Sequence, residues 1–417
     1  MSGRTTAPDT EDPRALNAKS AINHDREMGV ERVEDPSLVQ GSALPAGGPL
    51  ASITTICYTE ANHHTEECSM NYNEIANLVM SRLYATRQGG AGNPEDHMNL
   101  STWEWPQGVA MYAMMKVYLK TRNPAELEDI KAWYAQHIER GLPVRNINTT
   151  APMLAMTMLY EDTKDEQYRP LIEDWANWVM TGLPRTEEGG FQHITTHDVN
   201  EEQIWDDTLF MTVLFLYRAG VALGRKDWRE EAKYQFLLHI KYLHCQKTGL
   251  WYHGFCFIGR HHFGEAYWAR GNSWFTCGAV DFVEWLLQDE DTNECVTRFI
   301  LNAWKEQCLK LVELQDKESG LWHTLLDFDD SYLETSASAA IAYGLLKGVR
   351  LGLLPGCEEA AQKALAGVIA QVGEDGIVGG VSYGTPMGHT KDFYRTIPIE
   401  ATAYGQGLTF LMLTEVM

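Results

Sequence analysis

The chain has 417 residues and a formal charge of −23, from 34 Lys and Arg against 57 Asp and Glu. That balance argues against nucleic acid or an anionic membrane as a partner, since both require a basic face to neutralise phosphate. With 44% hydrophobic residues, 11% aromatic residues and 13 Trp, the chain has material for a large core without covalent staples.

Residues 1–50 are polar and rich in Pro, Gly and Ala, as in Gly41-Ser-Ala-Leu-Pro-Ala-Gly-Gly48, and read as a flexible tail ahead of a single domain over 51–417. The opening MSGRTTAPDTEDPR lacks the basic-then-apolar order of a signal peptide, and no run of about 18 apolar residues occurs anywhere. A cytoplasmic protein without a membrane span is therefore expected. Eight cysteines, at 57, 68, 245, 256, 277, 295, 308 and 357, form no CxxC pair and read as reduced thiols. Cys57, His63, His64 and Cys68 form a local cluster, but their spacing departs from the common zinc patterns, so no metal is expected.

From Asn71 onward apolar residues recur at helical spacing, as in Ile75, Leu78, Val79 and Leu83, then Val109, Tyr112, Ala113 and Val117. Short glycine-aromatic turns punctuate the helices: Gly190-Phe-Gln-His193, Gly249-Leu-Trp-Tyr-His253, Gly320-Leu-Trp-His323 and Gly376-Ile-Val-Gly379. Their starts recur at a spacing of roughly 60 residues, the length of two helices plus connections, and residues 70–417 hold about six such units. The fold class is therefore all-α, and six hairpins closed in a ring give an (α/α)6 toroid. Each turn can be explained by a glycine ending a helix while the aromatic packs underneath. Gathered on one rim, the same turns would line a cleft with Trp and His, which suits sugars.

Four segments carry candidate chemistry. In Glu202-Gln-Ile-Trp-Asp-Asp-Thr-Leu-Phe-Met211, Asp206 or Asp207 could serve only as a helix cap. Adjacent side chains diverge, so at most one of the two is expected to face a cleft, where Trp205 would shield it and raise its pKa. In Tyr267-Trp-Ala-Arg-Gly-Asn-Ser-Trp274, Arg270 can either fork onto a carboxylate or stack structurally on Trp. Asp329-Asp-Ser-Tyr-Leu-Glu-Thr-Ser336 leads into small residues that favour close helix packing, with Glu334 a candidate rim residue. Asn146-Ile-Asn-Thr-Thr-Ala-Pro152 is either a cap or a cleft wall.

Together with Trp103-Glu-Trp-Pro-Gln-Gly108, Ser331-Tyr-Leu-Glu-Thr-Ser336 and Tyr404-Gly-Gln406, these segments resemble, in the same order, the unsaturated rhamnogalacturonyl hydrolases of glycoside hydrolase family 105. Those are relatives of the family 88 unsaturated glucuronyl hydrolases. The likeness runs from about Trp103 to the C-terminus. It implies a toroid, no cofactor, a small unsaturated oligosaccharide as substrate, and Asp207 as general acid and base. It also implies contacts to substrate from His193, Trp205, His253, Arg270, Trp274 and Trp105, with Arg270 near an anionic group. Some members carry a second Asp where Asn148 stands, so Asn148 is expected to orient water or a hydroxyl while Asp207 acts alone. The implied reaction removes a 4,5-unsaturated uronic acid from the non-reducing end by hydrating its C4=C5 bond. A conventional glycosidase or a sugar epimerase on the same toroid, with Glu334 or Asp206 as second acid/base, is the alternative.

Overall fold

The computed structural model describes residues 71–88, 98–290 and 293–417. The expected tail at 1–50 and the Cys57, His63, His64 and Cys68 cluster lie outside the described residues. The helices are α1 (Tyr72–Gln88), α2 (Trp105–Thr121), α3 (Pro124–Arg140), α4 (Ile147–Thr150), α5 (Pro152–Thr163), α6 (Arg169–Thr181) and α7 (Leu214–Ala222). They continue as α8 (Lys226–Leu243), α9 (Ala269–Gln288), α10 (Glu294–Leu314), α11 (Thr335–Arg350), α12 (Glu358–Ile369), α13 (Lys391–Arg395) and α14 (Ala403–Leu413). Two short strands, β1 (Gln203–Trp205) and β2 (Gly254–Cys256), pair antiparallel.

Six helices close an inner ring: α2 packs on α5, α5 on α7, the turn leading into α7 on α9, α9 on α11, α11 on α14, and α14 back on α2. Around them α1, α3, α6, α8, α10 and α12 form an outer layer. This is the (α/α)6 toroid that the recurring turns imply. The two layers differ in sequence for a physical reason. An inner helix touches neighbours on every side, and α14 buries every residue from Ala403 to Leu413. An outer helix buries one stripe, as α6 does with Ile172, Trp175, Ala176 and Val179. No described helix is long and apolar enough to cross a membrane.

Connections from an inner to an outer helix are short, such as 122–123 and 223–225, whereas those from outer to inner run over 182–208, 244–268, 315–334 and 370–402. All the long connections therefore meet on one rim. Gly249, Gly320 and Gly376 hold positive φ values of 75°, 77° and 79° at their starts, conformations that favour glycine. At Gly320 a Cβ would also fall 2.5 Å from the Lys363 carbonyl oxygen. The aromatics of these turns do not line a cleft. Phe191, Trp251 and Trp322 are wholly buried, and the Trp322 indole N–H donates to the Leu311 carbonyl at 2.7 Å. They pack each return loop onto the helices below it, the helix-ending alternative.

A π-helical turn, Leu209–Val213, precedes α7. Such turns are uncommon and recur at functional sites because they shift the register of side chains on a helix. Here the turn begins two residues after Asp207.

Candidate active site

Trp205 lies opposite Gly254 in the β1–β2 ladder, and the Asp206 amide extends it by donating to the His253 carbonyl at 2.9 Å. The chain then enters the π-turn, and the two neighbouring carboxyls part. Asp207 turns into a cavity of about 550 Å³ at the rim. Asp206 turns away and is completely buried. Neither acts as the N-cap of the following helix, since the residue in that position is Thr208, which makes no side-chain cap.

The Asp207 side chain is 17% exposed, and its Oδ1 lies 3.2 Å from His193 Nδ1. This is not an ion pair. Burial pushes the His193 pKa down to about 3, so the ring is neutral, and its Nδ1 pairs with the Thr208 hydroxyl at 2.9 Å. Burial also lifts the Asp207 pKa from 3.8 to about 7, against a smaller opposing pull from the Arg270 charge. The cavity thus holds a carboxyl that changes charge near neutrality beside an imidazole that does not.

Aromatic faces build the walls. Trp205 stacks on His193 with centroids 4.1 Å apart, Trp105 lies 4.5 Å from Tyr404, and Trp105 meets Trp274 edge-on at 6.1 Å. Asn148 reaches the cavity from α4, whose start is fixed by a reciprocal cap between Asn146 and Thr149. The segment that read as either cap or wall is both. An aromatic-walled pocket with a few placed polar groups is the usual form of a sugar site.

Residues 80–417 match the profile of Glycosyl Hydrolase Family 88. The chain belongs to this family. It is 36% identical over 318 residues to the unsaturated rhamnogalacturonyl hydrolase YesR of Bacillus subtilis, covering 76% of this chain and 90% of the relative. Its fold matches a crystal structure of a possible GH105 family member from Salmonella enterica with a TM-score of 0.79 and 40% identity, over 85% of this chain and 96% of the other. A possible GH105 member from Klebsiella pneumoniae matches with a TM-score of 0.79 and 39% identity, over 85% and 95%. The protein is a glycosyl hydrolase.

In this family 88 hydrolase, seven of the eight residues singled out in the sequence line one cavity: Trp105, Asn148, His193, Trp205, Asp207, Arg270 and Trp274. His253 does not. It sits behind the wall, buried between Trp205 and Trp268, with its Nδ1 paired to the Tyr394 hydroxyl at 2.7 Å. Arg270 lines the cavity, but its terminal nitrogens are engaged by protein. They donate to the Ser382 carbonyl and hydroxyl, the Tyr383 carbonyl at 2.8 Å and the Thr385 hydroxyl at 2.8 Å. The guanidinium also lies over Trp268 and Tyr404, at 4.7 and 5.1 Å. The structural alternative for Arg270 is therefore realised: it anchors the 382–385 loop while its charge stays beside the cavity.

Glu334 is not on the rim. It is buried as the cap of α11, accepting from the Ala337 amide at 2.6 Å and the Ser382 amide at 2.8 Å, 3.7 Å from Arg270. The cavity gains residues that the sequence reading passed over, among them Glu104, Gln107, Thr195–Asp198 and Met211. Glu104 could have been noticed, since an acid placed just before a helix often caps it. It accepts from the Trp105 amide at 3.2 Å and from the Thr196 hydroxyl at 3.3 Å. Burial raises its pKa as well. Tyr383, Gly384, Thr385 and Pro386 complete the wall.

Proposed function

We propose that Asp207 is the proton carrier for the removal of a 4,5-unsaturated uronic acid from the non-reducing end of a short oligosaccharide. The reaction class is hydrolytic release through hydration of the double bond, as in the unsaturated uronyl hydrolases to which this chain is similar. The observation that supports Asp207 most is its state: a carboxyl in the cavity, with its pKa near 7 and its Oδ1 free of hydrogen bonds. Glu104 shares the cavity, but both its oxygens are engaged in holding α2 and Thr196.

The C4=C5 bond of the substrate is an enol ether conjugated to a carboxylate. Protonated Asp207 delivers its proton to C4, and the cation-like centre at C5 takes water. That water returns a proton to the same carboxylate, so one Asp serves both steps. The resulting hemiketal opens and releases the neighbouring sugar, with no attack at the anomeric carbon. Trp105, Trp205 and Trp274 supply faces for the ring, and Asn148 is placed to orient the water or a hydroxyl. Arg270 contributes a fixed positive charge that favours the substrate carboxylate without relinquishing the loop it holds. A conventional glycosidase needs two carboxyls flanking the scissile bond. Asp206 and Glu334, the residues considered for that second role, both lie outside the cavity lining.

The assay is loss of the ultraviolet absorbance of the conjugated uronyl group on incubation with disaccharides from different lyases. Wild type should consume at least one of them, and the saturated counterpart should be inert. Equal cleavage of a saturated disaccharide would overturn the hydration reading.

A further inference from the structure

Asp206 has no part in the reaction just described, yet its setting is unusual. It is wholly buried, and neither carboxyl oxygen has a partner in hydrogen-bonding geometry. An unpaired buried polar group is costly, so a position that keeps one requires a reason. The carboxyl is also seated against a backbone cut to receive it. A Cβ at Gly271 would fall 2.1 Å from Asp206 Oδ2 and 3.0 Å from the Trp268 ring. Gly271 is in the first turn of α9, where glycine is a poorer helix former than alanine. Its φ is not in the left-handed region, so the room for Asp206, not the backbone conformation, accounts for the glycine.

The groups around this carboxyl come from four places. Asp207 follows it in the chain, Arg270 belongs to α9, Tyr394 belongs to α13, and His253 precedes β2. Arg270 is engaged with Ser382, Tyr383 and Thr385, and the His253 ring is kept neutral by burial. Burial, reinforced by the Asp207 charge, holds the Asp206 pKa well above the usual carboxylate range. This setting disfavours the charged form, and the fit of the carboxyl against Gly271 is what fixes its place.

We infer that Asp206 is a positioning residue: its carboxyl, wedged against Gly271 at the start of α9, fixes the direction in which Asp207 faces the cavity and closes off the space behind it. The inference rests on the assignment of Asp207 as proton carrier. The two residues share one peptide link between β1 and the π-turn, so a change in how Asp206 seats rotates Asp207. Emptying the seat would also admit water behind Asp207 and relieve the burial that raises its pKa.

The test compares wild type with Asp206→Asn, Asp206→Ala, Gly271→Ala and Asp207→Asn, measuring kcat, its pH profile and Tm. Asparagine keeps the shape and stays neutral, so Asp206→Asn should hold kcat within about threefold, with an unchanged pH profile. Asp206→Ala should lower kcat by about tenfold or more and move the fall in rate toward acid pH. Gly271→Ala, which displaces the carboxyl without removing it, should do the same, and it decides the matter if Asp206→Ala does not fold. A loss in Asp206→Asn as deep as in Asp207→Asn would make Asp206 a proton carrier and overturn the inference. So would wild-type kcat and pH profile in both alanine variants, whatever their Tm. Full activity in Asp207→Asn would overturn the proton-carrier reading as well, which separates the two failures.

Discussion

The charge state of Asp207 sets two consequences that follow pH in the same direction. Its acid form delivers the proton, so kcat should hold below about pH 7 and fall above it as Asp207 ionises, which a pH–rate profile on the unsaturated disaccharide would check. Removing the acid in Asp207→Asn should lower kcat by about 10²–10⁴. Stability falls over the same range. The group titrates at 3.8 ordinarily and at about 7 in the fold, so between these values the folded protein binds more protons than the unfolded chain. The stability it contributes is complete at acid pH and is lost as pH rises through the folded pKa. Asp207→Asn should therefore have a higher Tm than wild type near pH 8 and no such gain near pH 4. A Tm difference that ignores pH would remove the burial account of this carboxyl. At this scale the sequence was partly legible. That one of Asp206 and Asp207 would face a cleft follows from local geometry, and Trp205 beside the pair pointed to a sheltered carboxyl. That the other is buried unpaired against Gly271 was not readable, because the two positions are 65 residues apart in the chain.

Loops and helix starts form the cavity, and Arg270 shows how they depend on one another. Its engaged nitrogens pin residues 382–385, while Glu334, capping α11, holds the Ser382 amide from the other side. The Tyr383–Pro386 wall is thus suspended between the first turns of α9 and α11. Lysine keeps the charge but has no planar fork, so Arg270→Lys should release part of this wall. A weakening of about 1.5 kcal/mol in binding corresponds to a KM raised by about tenfold, and kcat should change less. Faster proteolytic cutting near residue 384 would accompany it. A wild-type KM in this variant would mean that the wall does not shape substrate binding. The helical hairpins and their glycine-ended returns were legible because they are local punctuation. The anchor was not, since the sequence shows an Arg between Trp268 and Trp274 but not the acceptors that meet it more than a hundred residues later. The same distance hid His253, which the Tyr394 hydroxyl and the Trp268 ring hold behind the wall.

The whole ring is closed by a second polar cluster, remote from the cavity. Asp281 of α9 accepts from the hydroxyls of Tyr112 in α2 and Tyr343 in α11, the latter at 2.7 Å, and from the ammonium groups of Lys116 and Lys347. Glu284 adds a second carboxylate, 2.6 Å from Lys347. Asp281 and Lys347 are both completely buried, and burial opposed by two ammonium charges leaves Asp281 well below the usual carboxylate range. Three inner helices meet at this one side chain. The repeat spacing predicted the ring, but nothing in it predicted that charges rather than apolar residues tie α2, α9 and α11 together. A buried pair adds little over an apolar core, yet breaking one exposes the full cost of the charge left behind. Asp281→Ala should therefore destabilise by about 3–5 kcal/mol, read as a lowered Tm or denaturant midpoint. Asp281 lies 11 residues along α9 from Arg270, roughly 16 Å at helical rise. The fraction that remains folded should then keep the kcat and pH profile of wild type. If the profile shifts with the stability, the cluster and the cavity form one electrostatic unit and the ring does not insulate its two ends.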